Sequence, residues 1–267
     1  MLFFAQDLVS LDINCEQYDF KGALMSLNKP GYNERLFRKG VRRWLHEARF
    51  LWLKQKTGEL AIDTRNVLEI GCFDARSLDY FVRAPELYVG LDSNWEGGLD
   101  SAKQKYRGNT NYKFVETKNP TDISESCGNI VFTLALSLET LEHISPNLLD
   151  EYLYQISKVL QGNFLVSVPN EKGLLFLAKY LTKKIYVGGA RQYTFSEILY
   201  ATIGRLDKVS RDEHKGFDWE NLLENLKKHF TCIAVEGIQF RYLPFWLNPQ
   251  IGIHLKSKNL SLSTDNY

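Results

Sequence analysis

Closely spaced cysteines, long apolar runs and an excess of one charge are all missing from this 267-residue chain. Its four cysteines stand at 15, 72, 127 and 232. They form no C-x-x-C pair, which excludes a zinc ribbon or a thioredoxin-type site. So wide a spacing reads as reduced, buried thiols of a cytoplasmic protein. No stretch approaches about 18 uncharged apolar residues, so no membrane-spanning helix is expected. Lys and Arg number 33 against 32 Asp and Glu, which excludes a globally basic nucleic-acid binder. Eighteen glycines and seven prolines are too few for a collagen-like or low-complexity chain. The first seven residues carry no basic stretch and reach an acid at Asp7, so no secretory leader is expected. No internal repeat is found. The chain is 44% hydrophobic and 24% charged, enough to fill a sizeable core in one large domain or two small ones.

Residues 34–56 repeat apolar side chains at steps of three and four (Phe37, Val41, Trp44, Leu45, Ala48, Leu51, Trp52), which predicts an amphipathic helix. Arg35, Arg38, Lys39, Arg42, His46 and Arg49 fall on its polar face. Strand and helix patterns then alternate. Apolar runs at 66–70, 87–91, 112–116, 129–136 and 164–168 predict five strands, and 77–82, 100–106 and 147–160 predict helices between them. The stretch 171–216 breaks this rhythm with scattered glycines, aromatics and basic residues. A helix at 218–230, with Asp218 as its N-cap, leads to strands at 231–235 and 251–255. These last two follow one another with only a loop between them, which predicts an antiparallel pair at one edge. The fold class is therefore α/β, a doubly wound, mostly parallel seven-stranded sheet with an antiparallel last strand. Its parts are an N-terminal helical cap (1–60), an α/β domain (61–257) with a lid-like insertion at 171–216, and a polar tail (258–267). Ligands of such sheets bind beyond the carboxyl ends of the strands.

The first strand ends in Glu69-Ile70-Gly71-Cys72-Phe73-Asp74-Ala75 and the second in Asp92, 21 residues after Gly71. An acid so placed can accept hydrogen bonds from two ribose hydroxyls, because both carboxylate oxygens are acceptors. After the fourth strand comes Leu138-Glu139-Thr140-Leu141-Glu142-His143-Ile144, and the fifth carries Ser167-Val168-Pro169-Asn170-Glu171. A later run is His214-Lys215-Gly216-Phe217-Asp218. In these motifs and their order the sequence resembles the class I S-adenosylmethionine-dependent methyltransferases, and among them the small-molecule group of the ubiquinone-biosynthesis type. The resemblance covers roughly residues 60–257.

The resemblance implies S-adenosyl-L-methionine as cofactor. Gly71 would approach its methionine part, Glu69 would hold its ammonium, Asp92 with Ser93 beside it would hold the ribose, and Leu138 would pack on the adenine or the methionine chain. The family usually has Gly-x-Gly-x-Gly in the first turn, where this chain has Phe73 and Ala75. An allowed backbone with Phe73 packed away from the cofactor is expected, with Ala75 a mild change. His143 and His214 are the candidate bases, since imidazole titrates near neutrality. Glu139, Glu142 and His143 alone are slight ground for a cation, and no metal is assigned.

The segment 34–56 holds eight Lys/Arg against two acids and 172–215 nine against four, so the rest of the chain is acidic. In this fold both basic segments flank the active site, which suggests an anionic acceptor, either a small molecule or one linked to a glycan or lipid. Residues 174–187 mix apolar residues with Lys179, Lys183 and Lys184. They read as a lid hinged at Gly188-Gly189, or as a peripheral membrane contact. No specific nucleic-acid partner is expected, because the Asn/Asp-Pro-Pro-Tyr run of amino-methylating enzymes is absent. A nicotinamide enzyme is disfavoured by the missing G-x-G-x-x-G. The alternative is a catalytically inactive binding or scaffold protein on the same fold.

Overall fold

The computed structural model describes residues 40–186, 193–212 and 214–258. Cys15, the first residues of the predicted 34–56 helix, the Gly188-Gly189 hinge and nearly all of the polar tail lie outside them. The strands are β1 Asn66–Ile70, β2 Leu87–Asp92, β3 Tyr112–Glu116, β4 Phe132–Leu138, β5 Leu160–Pro169, β6 Phe230–Gly237 and β7 Gln250–Ser257. They form one sheet in the order β3-β2-β1-β4-β5-β7-β6. β1 to β5 pair in parallel, and β7 lies antiparallel to both β5 and β6. This is the predicted sheet.

The helices are α1 Val41–Glu59, α2 Gly98–Lys105, α3 Asp122–Cys127, α4 Pro146–Val159, α5 Gly173–Tyr186, α6 Phe195–Thr202 and α7 Trp219–His229. α4 starts on Pro146, whose missing N–H needs no partner there. Asp218 caps α7 by accepting the Glu220 N–H, as the sequence predicts. Strand side chains alternate between faces. Leu68, Ile70, Val89 and Leu91 therefore join the core under α3, α4 and α7. Val67, Tyr88, Leu134 and Leu136 face the other side, under α1 and α2. Glu69, two residues from Val67, must point to that second side.

Two helix expectations need correction. The predicted helix at 77–82 is only a 3-10 turn, Arg76–Tyr80. The segment is too short to nucleate an α-helix before Pro85, and the Ser77 hydroxyl turns inward to bond Glu69. α1 covers the bared face instead, with Phe50 stacked on Tyr80 at 5.1 Å. The second concerns which face of α1 is buried. Arg49, Lys56 and Phe50 are buried, whereas Leu51 is half exposed. Lys56 can be buried because its ammonium pairs with Glu236 at 2.5 Å.

In the insertion, Phe176 and Tyr180 of α5 pack with Tyr193 and with Ala201 of α6. α6 opens on a capping box, Thr194 with Glu197. Leu174, Leu181 and Ile185 form an exposed stripe on α5. Among the described residues no helix is long and apolar enough to cross a membrane.

Candidate active site at the carboxyl ends of the central strands

The order of strands reverses between β1 and β4, and there a cleft of about 560 Å³ opens. Glu69, Gly71, Asp92, Ser93, Leu138, His143 and His214 all line it. Arg49, Phe50, Phe73, Trp95, Glu139 and Thr140 complete much of the wall. Six described residues other than glycine have positive φ, and five of them (Phe73, Ala75, Asn94, Glu96 and Glu139) sit on loops at the strand ends around this cleft. Such strain persists only where neighbours fix it, and it gathers at functional sites.

The turn after β1 shows what fixes it. Gly71 has φ +75°, and a Cβ there would lie 2.1 Å from Thr140 Oγ1. The Gly71 N–H donates to the Leu91 carbonyl at 2.7 Å, tying the turn to β2. The family pattern's second and third glycines are replaced, yet the left-handed backbone is kept. Phe73 has φ 47° and Ala75 φ 55°. This corrects both expectations for the turn: the conformation is not relaxed, and Phe73 does not leave the cleft. Its N–H donates to Asp92 Oδ2 at 3.0 Å. Its ring lies over Gly98, where a Cβ would approach to 2.3 Å, and tilts onto Trp95. A non-glycine residue in this region costs about 1–3 kcal/mol, which the packing of the partly buried Phe73 ring on Gly98 and Trp95 opposes.

Asp92 also accepts the Asn94 N–H at 2.8 Å. Burial raises its pKa, against the backbone N–H groups of Phe73, Asn94 and Trp95 that favour its charge. A carboxylate has about four acceptor positions, so with these three N–H groups one remains for a ligand in the cleft. Glu69 is held more tightly. Ser77 and Tyr88 both donate to its Oε2, the latter at 2.5 Å. Burial pushes its pKa up to about 7 despite those bonds, Asp74 adds to the rise, and Arg49 opposes it. Cys72, beside it, is a buried free thiol pushed well up by burial and by Glu69.

At the far end, the backbone N–H of Glu139 donates to the Ser167 carbonyl at 2.8 Å, and a 3-10 turn, Leu141–His143, follows. That turn buries Glu142 and turns His143 to the cleft. His214, from the insertion, comes edge-on to His143, ring centroids 4.5 Å apart. One oxygen of Glu142 and one nitrogen from each imidazole lie within 4.8 Å of one another. Burial raises the pKa of Glu139, and that of Glu142 well above the carboxylate range, with Glu139 adding to the latter. Arg49 pulls both down.

Arg49 and Thr140 are the residues that sequence reasoning missed. Helical periodicity puts Arg49 on the polar side, and nothing local tells a buried arginine from a solvated one. Thr140 is the variable position of its motif. The basic character of the insertion is also smaller than its composition. Lys172 pairs with Asp218 and Glu220, Lys179 with Glu171 and Lys215 with Glu197.

No protein-family model and no curated protein matches the sequence. Solved structures do match in shape. The chain is similar to the N-methyltransferase NodS of Bradyrhizobium japonicum WM9, crystallised with S-adenosyl-L-homocysteine. Identity is 11%, coverage 90% of this chain and 98% of that one, and the TM-score 0.54. It is similar to an S-adenosylmethionine-dependent methyltransferase of Clostridium acetobutylicum at 14% identity, 89% and 98% coverage and TM-score 0.53. A third is the 1,6-didemethyltoxoflavin-N1-methyltransferase of Burkholderia thailandensis, at 17% identity, 80% coverage of each chain and TM-score 0.52. The likeness at such identities is one of fold, and the chain has the Rossmann-like fold of the class I methyltransferases.

Proposed function

We propose that this protein transfers a methyl group from S-adenosyl-L-methionine to a small acceptor, free or linked to a glycan or lipid. The observation that supports the reading most is the meeting of Glu69, Gly71, Asp92, Ser93, Leu138, His143 and His214 on one cleft at the reversal of strand order. Asp92 would hold the ribose and Ser93 flank it. The methionine part would pass Gly71, with its ammonium on the free oxygen of Glu69 and its carboxylate on Arg49, whose Nε is buried without an acceptor. The sulfonium is already a good leaving group, so the protein's task is alignment and exclusion of water, worth about 7–11 kcal/mol. The acceptor would sit at the His143–His214 end. The exposed stripe of α5 leaves room for a peripheral membrane contact by a lipid-linked acceptor. Arg49 is the cation that favours an anionic acceptor or cofactor group, since the insertion's lysines are largely paired. The subgroup of the ubiquinone-biosynthesis type rests on the sequence motifs.

The test is calorimetric titration of S-adenosylmethionine and S-adenosylhomocysteine into the full chain. Micromolar binding is expected, and no binding to folded protein would overturn the reading in favour of a scaffold.

Glu69 adds a signature in pH. Its ammonium ligand needs the ionised carboxylate, and the folded pKa is about 7. Affinity for S-adenosylhomocysteine is expected to rise roughly five- to tenfold between about pH 6 and 7.5, with proton release on binding. Glu69→Gln should flatten the profile; a wild-type profile already flat would remove Glu69 from the site. In the free protein the sign is opposite. The folded chain keeps a proton that the unfolded one releases above its ordinary value of 4.5, so this group lowers stability as pH rises from there to about 7.

A further inference from the structure

We propose that Glu197 and Lys215 are positioning residues: they latch the loop that carries His214 onto α6 and so hold its imidazole against His143 at the acceptor end of the cleft. The inference rests on the methyl-transfer reading only for what that end of the cleft does. Glu197 divides its two carboxylate oxygens between two tasks. Oε2 accepts the N–H and the hydroxyl of Thr194, at 2.8 and 3.1 Å, and this caps α6. Oε1 reaches a segment 13 positions further along the chain. It accepts the Ser210 N–H at 3.2 Å, the Ser210 hydroxyl at 2.7 Å and the Lys215 ammonium at 3.0 Å. A capping box needs only the first set, so the second serves the loop. The side chains of the ion pair are only 11% and 12% exposed, and Lys215 Nζ also lies over the Tyr193 ring at 5.1 Å. A pair so enclosed is screened little by salt, and removing one partner leaves the other without compensation. The Thr194 N–H first, then the Ser210 hydroxyl and the Lys215 ammonium, hold the Glu197 carboxyl well below the usual carboxylate range, so it stays charged at neutral pH.

Ser210 and Lys215, the two points held by Glu197, bracket His214. Asp212 and Lys215 exchange both backbone hydrogen bonds, at 3.0 and 2.8 Å, and the Phe217 N–H donates to the His214 carbonyl at 3.1 Å. Gly216 closes the loop at φ +68°, where a Cβ would lie 2.9 Å from the Ser210 carbonyl oxygen. On the side of the cleft, Arg211 donates to the Glu142 carbonyl at 2.6 Å, so the same loop rests on the turn after β4. His214 thereby meets His143 at 4.5 Å between ring centroids, and both line the cleft. Neither Glu197 nor Lys215 lines it, so each acts through His214 and not on a ligand. Glu69, Gly71 and Asp92 are placed by β1 and β2 instead. The latch therefore governs the acceptor end and leaves the cofactor end alone.

The experiment reads the contact between the two imidazoles by nuclear magnetic resonance of the histidine-labelled full chain. Its five histidines are assigned with His143→Gln and His214→Asn. A nuclear Overhauser effect between the His143 and His214 rings is expected in wild type. Lys215→Met keeps the stem on Tyr193 and removes the charge. It is expected to lose the effect and to raise the rate at which diethyl pyrocarbonate modifies His214 about fivefold or more. Thr194→Ala is the control for a merely structural role of Glu197. It weakens the cap of α6, leaves Oε1 with its partners, and should keep the ring contact. If Lys215→Met fails to fold, Ser210→Ala, at an exposed position, carries the test with a smaller change. A ring contact that survives loss of the latch, or that Thr194→Ala breaks as fully, would overturn the proposal. S-adenosylhomocysteine titrated into the same samples separates the two readings. Its Kd in Lys215→Met is expected within about twofold of wild type, and loss of binding there would make the effect general and overturn the latch. A ring contact that answers to the latch in a chain that never binds S-adenosylhomocysteine supports the latch and overturns methyl transfer.

Discussion

Replacing Asp92 by alanine is expected to abolish measurable binding of S-adenosylhomocysteine. A charge-assisted hydrogen bond to a ribose hydroxyl would go, about 1.5–3 kcal/mol, a loss of roughly 10- to 10²-fold in affinity. A second effect adds to it. The same carboxylate accepts the backbone N–H groups of Phe73 and Asn94, and both residues are left-handed. Without it, the turn carrying Phe73 loses what fixes it and the cleft wall moves. Asp92→Asn separates the two contributions, because one amide oxygen still accepts while the charge is gone. Calorimetry on both variants, with thermal unfolding as the control, gives the answer. An alanine variant that binds as tightly as wild type would remove Asp92 from any cofactor role.

Gly71→Ala has the largest expected effect on the fold near the site. The new Cβ would stand 2.1 Å from Thr140 Oγ1, 2.3 Å from its Cγ2 and 2.7 Å from its Cβ. The backbone there is left-handed, which costs an alanine about 1–2 kcal/mol by itself. With overpacking of about 1–3 kcal/mol, the expected loss is roughly 2–5 kcal/mol, or about 5–15 °C in Tm at this chain length. Cofactor binding should fall with it, since Gly71 and Thr140 line the cleft together. Thr140→Ala removes the two nearest atoms and leaves Cβ, so it should restore part of the stability to the double variant. Unfolding of the four proteins of the cycle measures this coupling. Strictly additive effects would mean that the Gly71–Thr140 contact carries no energy.

The two variants probe groups of unequal legibility. Asp92 is found from spacing alone, because an acid about 20 residues after a glycine turn falls at the tip of the next strand. The demand of Gly71 is half legible. Its place in the turn follows from the sequence, but its collision with Thr140 needs β1 and β4 side by side. Glu69 divides the same way. Its position is legible, and its pKa of about 7 is not, since that comes from burial in the folded chain, which outweighs the hydrogen bonds that Ser77 and Tyr88 donate to it.

The sequence by itself determined the strand count, the parallel sheet with its antiparallel edge and which strand ends line the cleft. It did so because alternation of apolar and polar residues and the punctuation by glycine, proline and acid are local signals. Tertiary structure alone decided what depends on distant segments meeting. It reduced the 77–82 helix to a 3-10 turn because α1 takes over that face. It buried Arg49 by fixing which side of α1 faces the sheet. It kept Phe73 left-handed because Asp92 and Gly98 hold it from another strand and another helix. It brought His214 of the insertion, 71 positions from His143 in sequence, to ring contact with it, and that distance along the chain is why no spacing rule finds the pair.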